Sequence, residues 1–423
     1  MELSETTTRR TGTVEFKQTE VGLFPMDWSL KPLGTMAEVR GRVGWKGYTK
    51  ADLRNDGPIT IGAKHINKNN KLDLSDPTYL SVEKFRESPE IMVQEGDVLI
   101  VQRGTIGSLV LIDRNVGDAT INPSMLILRS HRVDPTYLYY QLISSTGQRQ
   151  ILLDTSSTGV PMITQKQVGA FLIPIPPTIE EQRAIATALS DVDGLLAGLD
   201  ALIAKKKALK QGAMQQLLTG KQRLPGFKGE WVVRRLGDVA EVISGATPRT
   251  NVPAYWNGNI PWCTPTDITG TDGKYISVTE RSITKEGLEG CNTKLLPKGA
   301  LLLCTRATIG EVKIAAAPIC TNQGFKSLVC GPLANNEFLY YKLLTMKDAM
   351  VEKAIGSTFL ELSRKDTVSL ELTMPIVEEQ TAIAEVLSDM DAELGALEAR
   401  RAKTALLKQG MMQELLTGRV RLV

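Results

Sequence analysis

The chain has 423 residues, which is long for a single hydrophobic core, so two domains of ordinary size are expected. Its 42% apolar and 23% charged residues are typical of a globular protein, and no run of about 18 apolar residues could span a membrane. Residues 1–20 are polar and charged and do not resemble a signal peptide, so we expect a cytoplasmic protein.

Cysteines, histidines and charge exclude further classes. The five cysteines include no CxxC pair, and the two histidines lie far from them, which argues against a disulfide framework and against a metal site. The net charge is only +3: residues 1–173 carry 20 basic and 19 acidic side chains, and residues 226–374 carry 17 and 15. Because neither segment is strongly basic, charge alone does not indicate a nucleic-acid partner.

Residues 1–173 and 226–374 are each predicted to form one α+β domain. In the first segment, apolar strands are predicted at 97–102 and 125–129, and a helix near 137–144. In the second, the matching strand is predicted at 300–305 and the helix at 337–346. Turns rich in Gly, Asn and Pro separate these elements, which indicates an irregular sheet.

Residues 174–225 and 375–423 are predicted to form two copies of one long helix. Residues 180–224 align without a gap with residues 378–422, and 27 of these 45 positions are identical. Thr178 with Glu181 resembles a capping box, and Gly220 and Gly418 follow the last apolar turns. The heptad spacing predicts a helix-pairing seam of Ile185, Leu189, Val192, Leu196, Leu199 and Ile203 in the first copy, and of Ile383, Leu387, Met390, Leu394 and Leu397 in the second.

A fainter repeat links the two α+β domains. Trp28 matches Trp231, and the tract Arg103-x-Thr105–Ile106–Gly107 matches Arg306-x-Thr308–Ile309–Gly310, both at an offset of 203. We expect the tryptophans to anchor the cores and the glycines to form turns. The residues between these landmarks differ, so one scaffold occurs twice with different surfaces.

The order domain, helix, domain, helix requires the second helix to run back antiparallel along the first. We therefore predict an α+β protein with two similar domains joined by a long antiparallel coiled coil with a pseudo-two-fold axis. A spacer between two recognition domains fits this arrangement best. The alternatives are a helical interaction scaffold with two protein-binding heads and no DNA contact, and a duplicated ligand-binding or enzymatic protein. The cations of Lys205–Lys207 are either a solvated helix face or a belt facing DNA or a partner.

The motifs resemble the specificity subunit of type I restriction–modification systems over nearly the whole length. They are residues 17–28, the tract Leu224–Pro225–Gly226–Phe227 up to Trp231, the tracts 295–310 and 321–325, and the duplicated EEQ…LLTG helices. The resemblance implies that each domain is a target recognition domain reading one half of a bipartite, asymmetric site in the major groove of double-stranded DNA. It also implies that the helices set the unread spacer.

Further properties also follow from the resemblance. Two methyltransferase subunits using S-adenosylmethionine, and restriction subunits using ATP and Mg²⁺, are expected as partners. This chain is then a non-catalytic subunit without a cofactor of its own. In agreement, the sequence has no Asn-Pro-Pro-aromatic or Asp-Pro-Pro-aromatic motif and no GxxxxGK[ST] loop.

Candidate DNA contacts are basic and amide side chains in loops, because these groups bind phosphates and base edges. They are Arg40, Arg42, Lys46, Lys50, Lys64, His65, Asn67, Lys68 and Arg103 in the first domain, and Arg249, Asn251 and Arg306 in the second. For any one of them the alternative is an ordinary solvated loop. Arg103 and Arg306 occupy matching positions, so phosphate contact or a structural role suits them better than base reading.

Overall fold

The structure is a computed structural model that describes residues 10–11, 14–42, 47–154, 161–354 and 360–422. It divides into two compact units. Unit 1 comprises Met1–Asp200 and Arg400–Val423, and unit 2 comprises Ala201–Ala399. We call described residues 10–175 head 1 and residues 231–374 head 2.

Head 1 is built of short strands with four helices. The strands are β1 (Arg10–Thr11), β2 (Val14–Thr19), β3 (Gly22–Pro25), β4 (Ser29–Pro32), β5 (Ala37–Gly41), β6 (Leu53–Ile61), β7 (Tyr79–Leu80), β8 (Val98–Val101), β9 (Leu109–Leu111), β10 (Ala119–Ile121), β11 (Met125–Ser130) and β12 (Leu172–Ile175). The helices are α1 (Val82–Arg86), α2 (Pro135–Ile143), α3 (Ser145–Asp154) and α4 (Gln165–Ala170). The first long helix, α5 (Ile179–Leu217), follows directly.

Head 2 has a similar order of elements. Its strands are β13 (Val232–Arg235), β14 (Ala240–Ser244), β15 (Trp256–Cys263), β16 (Tyr275–Ile276), β17 (Arg281–Ile283), β18 (Leu301–Leu303), β19 (Val312–Ala315), β20 (Cys320–Thr321), β21 (Lys326–Cys330) and β22 (Glu371–Met374). Its helices are α6 (Leu236–Val239), α7 (Pro265–Gly270), α8 (Lys285–Glu289), α9 (Asn336–Leu344), α10 (Lys347–Lys353) and α11 (Arg364–Val368). The second long helix is α12 (Val377–Leu415).

Among the described residues the two heads share most of their sheet topology, while head 2 adds the edge strand β16 and head 1 adds the sheet β1-β2-β3. The main sheet has the order β5-β11-β8-β9 in head 1 and β14-β21-β18-β19-β16 in head 2. A second sheet has the order β10-β6-β7 in head 1 and β20-β15-β17 in head 2, and the pair β12-β4 corresponds to β22-β13. The predicted α+β class and the repetition of one scaffold are therefore confirmed.

The central strands of each main sheet are buried on both faces, which explains the unbroken apolar runs of β8 and β18. Along β8, Val98 and Ile100 point into one apolar cluster of head 1, and Leu99 and Val101 point into the other. The first cluster also contains Trp28, which is 1% exposed and anchors this core as predicted. In head 2, Trp231 is half-buried and packs against the equivalent cluster.

The two long helices are equal in length, since each spans 39 residues, and each lies within the segment predicted for it. At the start of α5, the Glu181 amide donates to Thr178 Oγ1 at 3.2 Å. The Glu181 carboxylate binds Arg421 rather than returning to Thr178, so only half of the predicted capping box forms. Gly220 and Gly418 adopt left-handed φ values of 71° and 68° after the last turns, as expected. Within the described ranges, no helix is both long and apolar enough to cross a membrane.

Within each unit, segments of α5 and α12 lie side by side and antiparallel. In unit 1, Asp193 pairs with Lys408 and Asp200 pairs with Arg401, so residue numbers rise along α5 while they fall along α12. In unit 2, Lys207 pairs with Glu398 and Lys210 pairs with Asp391, with the same reversal of residue numbers.

The ion pairs between α5 and α12 also show what two of the three cations of Lys205–Lys207 contact. Two of these three cations are paired with acids of α12, Lys206 with Glu393 and Lys207 with Glu398 at 2.7 Å. Lys205 is exposed.

The residues of the predicted helix-pairing seam fall into two groups, according to what buries them. Ile185 and Leu189 are fully buried in the core of head 1, and Ile383 and Leu387 occupy the same place in head 2. These first positions of each series therefore attach a head to its helix. The later positions are buried at Leu199, Ile203 and Leu394, and half-buried at Val192, Leu196, Met390 and Leu397.

Candidate nucleic-acid interface

Several loops of head 1 leave the main sheet at the same end. Gly41 at the end of β5 pairs with Leu126 near the start of β11, and Leu126 pairs with Ile100 near the end of β8. The strand β6 ends beside them, because the Asn122 amide donates to the Ile61 carbonyl at 2.8 Å. The loops that begin after residues 41, 61 and 101, and the turn 122–124, therefore start together. We call this edge the recognition end of head 1.

Head 2 has a matching recognition end. Ser244 pairs with Lys326, and Cys304 forms a bridge with Phe325. The Asn322 amide donates to the Cys263 carbonyl at 3.1 Å. The loops after residues 244, 263 and 303, and the turn 322–324, therefore start together, as their counterparts do in head 1.

The structure brings most of the candidates of head 1 to these loops. Arg103 is exposed directly after β8, and its Nε lies 3.1 Å from Met162 Sδ. Arg40 on β5 is half-exposed and pairs with Glu38 at 3.0 Å. Lys64 is exposed just after β6 and pairs with Asp76 at 2.7 Å. Lys50, Asn67 and Lys68 are exposed further along the same loops. Lys46 lies outside the described residues.

Arg42 is buried in the structure, which corrects its predicted placement among exposed contacts. It is only 6% exposed; its Nε donates to the Ile121 carbonyl and its Nη2 to Thr120 Oγ1, both at 3.2 Å. Burial lowers the pKa of this guanidinium. Its cation lies 5.6 Å from the centre of the Tyr48 ring. In this conformation Arg42 supports the recognition end from inside and cannot reach a duplex.

His65 is also buried in the structure, contrary to its predicted placement among exposed DNA contacts. It is 2% exposed, its Nδ1 accepts from the Gly62 amide at 2.9 Å, and its Nε2 lies 3.2 Å from the Asp76 carbonyl. Burial lowers the pKa of this imidazole, so the neutral ring is favoured. His65 therefore shapes the loop after β6 and does not present a charge at the surface.

The candidate DNA contacts of head 2 differ in whether they form an ion pair within the protein. Arg249 and Asn251 are exposed on the loop after β14. Arg306 pairs with Glu361 at 3.2 Å, and the same carboxylate accepts from Lys326 at 3.3 Å. Arg306 thus has a carboxylate partner, whereas the matching Arg103 lies against a methionine.

The turn between the last two strands at each recognition end was not among the predicted contacts. Asn122 Oδ1 accepts from the Ser124 amide at 2.9 Å, and Asn322 Oδ1 accepts from the Gly324 amide at 2.8 Å. The next residue in head 2, Gln323, is exposed and bonded to Thr247. In both heads the Asn directly follows a short buried strand, where asparagine commonly stabilises a turn through its side chain.

Residues that are identical in the two copies of the 198-residue repeat attach both heads. In unit 1, Arg421 binds Glu181, whose side chain is 0% exposed, and Arg421 also pairs with Asp27 at 3.1 Å. In unit 2, Arg223 binds Glu379 at 2.5 Å. The neighbouring glutamines bind the N-cap residues of the head helices α2 and α9.

The glutamine contacts are also repeated. Gln182 Oε1 accepts from the Asp134 amide at 3.0 Å, and Gln380 Oε1 accepts from the Asn335 amide at 2.9 Å. The second glutamate and the glutamine of the EEQ motif, which are identical in both copies, therefore fix each head on its helix. Both recognition ends are thus carried by one repeated attachment.

These features define the chain as a protein with two recognition heads: one scaffold is used twice, and the loops at corresponding ends differ. The family model for the type I restriction modification DNA specificity domain matches residues 25–208 and 228–407, so the chain belongs to that family. The first matched region contains head 1 from residue 25 onward, the second contains all of head 2, and each includes most of the long helix that follows. The predicted resemblance is confirmed, and the function is DNA sequence recognition rather than catalysis.

Individual relatives agree with this assignment. Over 164 residues the chain is 42% identical to the type I restriction enzyme MjaIX specificity subunit of Methanocaldococcus jannaschii, a stretch that spans 38% of either protein. It is 25% identical over 425 residues to the putative type I restriction enzyme MjaX specificity subunit of the same organism, covering 96% of each. The crystal structure of the type I restriction-modification system S subunit from M. genitalium has the same fold, with a TM-score of 0.58 at 16% identity, covering 92% of this chain and 96% of that one.

Proposed function

We propose that this chain recognises a bipartite, asymmetric DNA site, with head 1 reading one half and head 2 the other in the major groove. The observation that carries the proposal is the shared sheet order with divergent loops at corresponding recognition ends. A common scaffold presents both sets of loops in the same way, and different side chains give each head its own bases. Because the loops differ and the scaffold does not, the two half-sites are expected to be unrelated in sequence.

The exposed polar side chains are the proposed contacts. In head 1 these are Lys50, Asn67, Lys68 and Arg103, and in head 2 they are Arg249 and Asn251. Lysine and arginine supply phosphate contacts, while asparagine and arginine can also bond base edges. Each head is nearly neutral, so we expect weak DNA binding by this chain alone.

We further propose that α5 and α12 form an antiparallel coiled coil that sets the unread spacer. Its support is the antiparallel pairing of segments within each unit and the 39-residue length of both helices. At 1.5 Å per residue, each helix is about 60 Å long. Because the same attachment residues occur in both repeat copies, the two heads are attached to the helices in an equivalent way.

The partners proposed for the assembly are two methyltransferase subunits, which use S-adenosylmethionine, and restriction subunits, which use ATP and Mg²⁺. This chain itself holds no cofactor in the proposal. The assembly acts in the cytoplasm on double-stranded DNA. Two equivalent helix–head junctions within one chain offer two equivalent places for a methyltransferase subunit.

Substitution of two cations at the recognition end of head 1 tests DNA contact. We expect Lys68→Ala with Arg103→Ala to weaken binding by the chain assembled with its methyltransferase. Each lost phosphate contact removes one released counterion, so the log–log slope of affinity against salt should shrink by about one unit per contact. Fluorescence anisotropy over a range of salt concentrations measures both quantities.

The matched control is Arg114→Ala with Arg132→Ala. Both arginines are exposed, and both lie at the opposite end of the same sheet, after β9 and after β11. This variant loses the same charge and should keep the salt slope. Equal slopes for the two double variants would place the recognition end of head 1 away from DNA.

A further inference from the structure

Each unit contains a cluster of one tyrosine, one aspartate and one lysine that ties a head helix to both long helices. In unit 1, Tyr140 of α2 donates to Asp193 Oδ2 of α5 at 2.7 Å, and Lys408 of α12 pairs with Asp193 Oδ1 at 2.7 Å. The Lys408 ammonium also lies 5.5 Å from the centre of the Tyr140 ring. We call this cluster clamp 1.

Unit 2 repeats the arrangement as clamp 2. Tyr341 of α9 donates to Asp391 Oδ2 of α12 at 2.6 Å, and Lys210 of α5 pairs with Asp391. The Lys210 ammonium lies 5.5 Å from the centre of the Tyr341 ring. Asp193 and Asp391, and Lys210 and Lys408, are identical positions of the 198-residue repeat, so the helix duplication carries the clamp with it.

The tyrosines of the clamps are shielded from water, whereas their aspartate and lysine partners are partly exposed. Tyr140 is 2% exposed and Tyr341 is fully buried, and burial raises the pKa of both phenols. The phenols therefore remain protonated near neutral pH and can donate to the carboxylates. Hydrogen bonds to a charged acceptor are shorter and stronger than those between neutral groups.

The clamps differ in kind from the apolar contacts around them. Ile185 and Leu189 pack α5 into the core of head 1, but apolar packing has little directional preference and permits small shifts. A hydrogen bond is lost when its donor and acceptor move apart by a fraction of an ångström or turn out of line. Polar groups buried in an apolar helix seam are known to select one register at some cost in stability.

We propose that clamps 1 and 2 fix the register of each head on the long helices. The complex is thereby restricted to DNA sites with one spacer length. The tyrosine, aspartate and lysine are positioning residues: they touch no DNA but hold the recognition ends at one separation. The inference rests on the proposed bipartite recognition. It assigns a role to identical residues of the LSD-x-D and LKQG motifs.

The test uses the full chain assembled with its methyltransferase. Duplexes carry both half-sites with the natural spacer, or with a spacer one base pair longer or shorter. For wild type, methylation should be confined to the natural spacer. In Tyr140→Phe and Tyr341→Phe, we expect the preference for the natural spacer to fall about tenfold per clamp, the equivalent of one lost hydrogen bond to a charged group. The bases required in each half-site should not change.

Tyr340→Phe is the matched control. Tyr340 is the neighbouring residue on α9, is 8% exposed, and packs edge-on against Tyr341 with the ring centres 5.0 Å apart. In the part of the chain that the structure describes, its hydroxyl has no hydrogen-bond partner. This variant should keep the spacer preference. Lys408→Met and Lys210→Met provide a second pair of clamp variants that retain both tyrosine hydroxyls.

A merely structural role would give a different result. It would lower the unfolding temperature and slow methylation of every duplex alike, with the spacer preference unchanged, and that outcome would overturn the inference. If wild type itself shows no dependence on two separated half-sites, the proposed function fails instead. Loss of spacer preference in the clamp variants, but not in Tyr340→Phe, would establish the clamps.

Discussion

Exchange of residues 226–374 for the corresponding head of another member of the family should replace one half of the recognised site and leave the other half unchanged. Head 2 has its own buried clusters, and the Arg223–Glu379 pair that holds it lies outside the exchanged segment. A donor head that keeps a tyrosine at the position of Tyr341 should also restore clamp 2. We expect methylation of the original site to fall to background while a hybrid site becomes methylated.

Sequencing of adenine methylation in a host that expresses the exchanged chain with its methyltransferase gives both half-sites at once. The reciprocal exchange of head 1 is the control, and it should alter only the other half. If both half-sites change after either exchange, the heads do not read DNA independently. Persistence of the original site would show that its bases are read by residues outside the head.

The second large effect concerns stability. We expect Arg421→Met to lower the free energy of unfolding of unit 1 by about 3–5 kcal/mol, because it leaves a buried carboxylate without its cation. The Glu181 side chain is 0% exposed and cannot turn to water without opening the junction of α5 with head 1. Chemical denaturation of the purified chain, followed by circular dichroism, measures the change.

Two comparisons isolate the buried charge as the cause. Arg419→Met removes an ion pair with Glu414 at 3.6 Å, in which both side chains are more than 40% exposed, and should cost less than about 1 kcal/mol. The double variant Arg421→Met with Glu181→Met leaves no buried unpaired charge, since Asp27 is 50% exposed, and should recover most of the lost stability. Equal losses for Arg421→Met and Arg419→Met would mean that burial of Glu181 contributes little.

The architecture was accessible from the sequence because the repeat is strong. The 39-residue helices, the two α+β heads and the strands around residues 98–101 and 301–303 all follow from periodicity and from the offsets of 198 and 203. Heptad periodicity does not specify which apolar surface covers a position. Ile185 and Ile383 satisfy the seam pattern and yet pack into the heads, because a head core offers the same apolar surroundings as a second helix.

The site was less accessible, for a related reason. Arg40, Arg42 and Arg103 look alike in sequence, but only the folded strands show that Arg42 turns inward to Thr120 and the Ile121 carbonyl. The partners of the identical polar residues are also remote, as in Arg421 with Glu181, 240 residues away along the chain. Sequence identity marked these positions, and only tertiary contacts explain them.

The most direct test of the account is methylation mapping of a host without adenine methylation of its own. This chain would be expressed there with its methyltransferase, and the methyltransferase would also be expressed alone. We predict methylation at one class of site, made of two short defined half-sites separated by an unread spacer of constant length, and only when this chain is present. Methylation at a single uninterrupted motif, or at the same sites without this chain, would contradict the account.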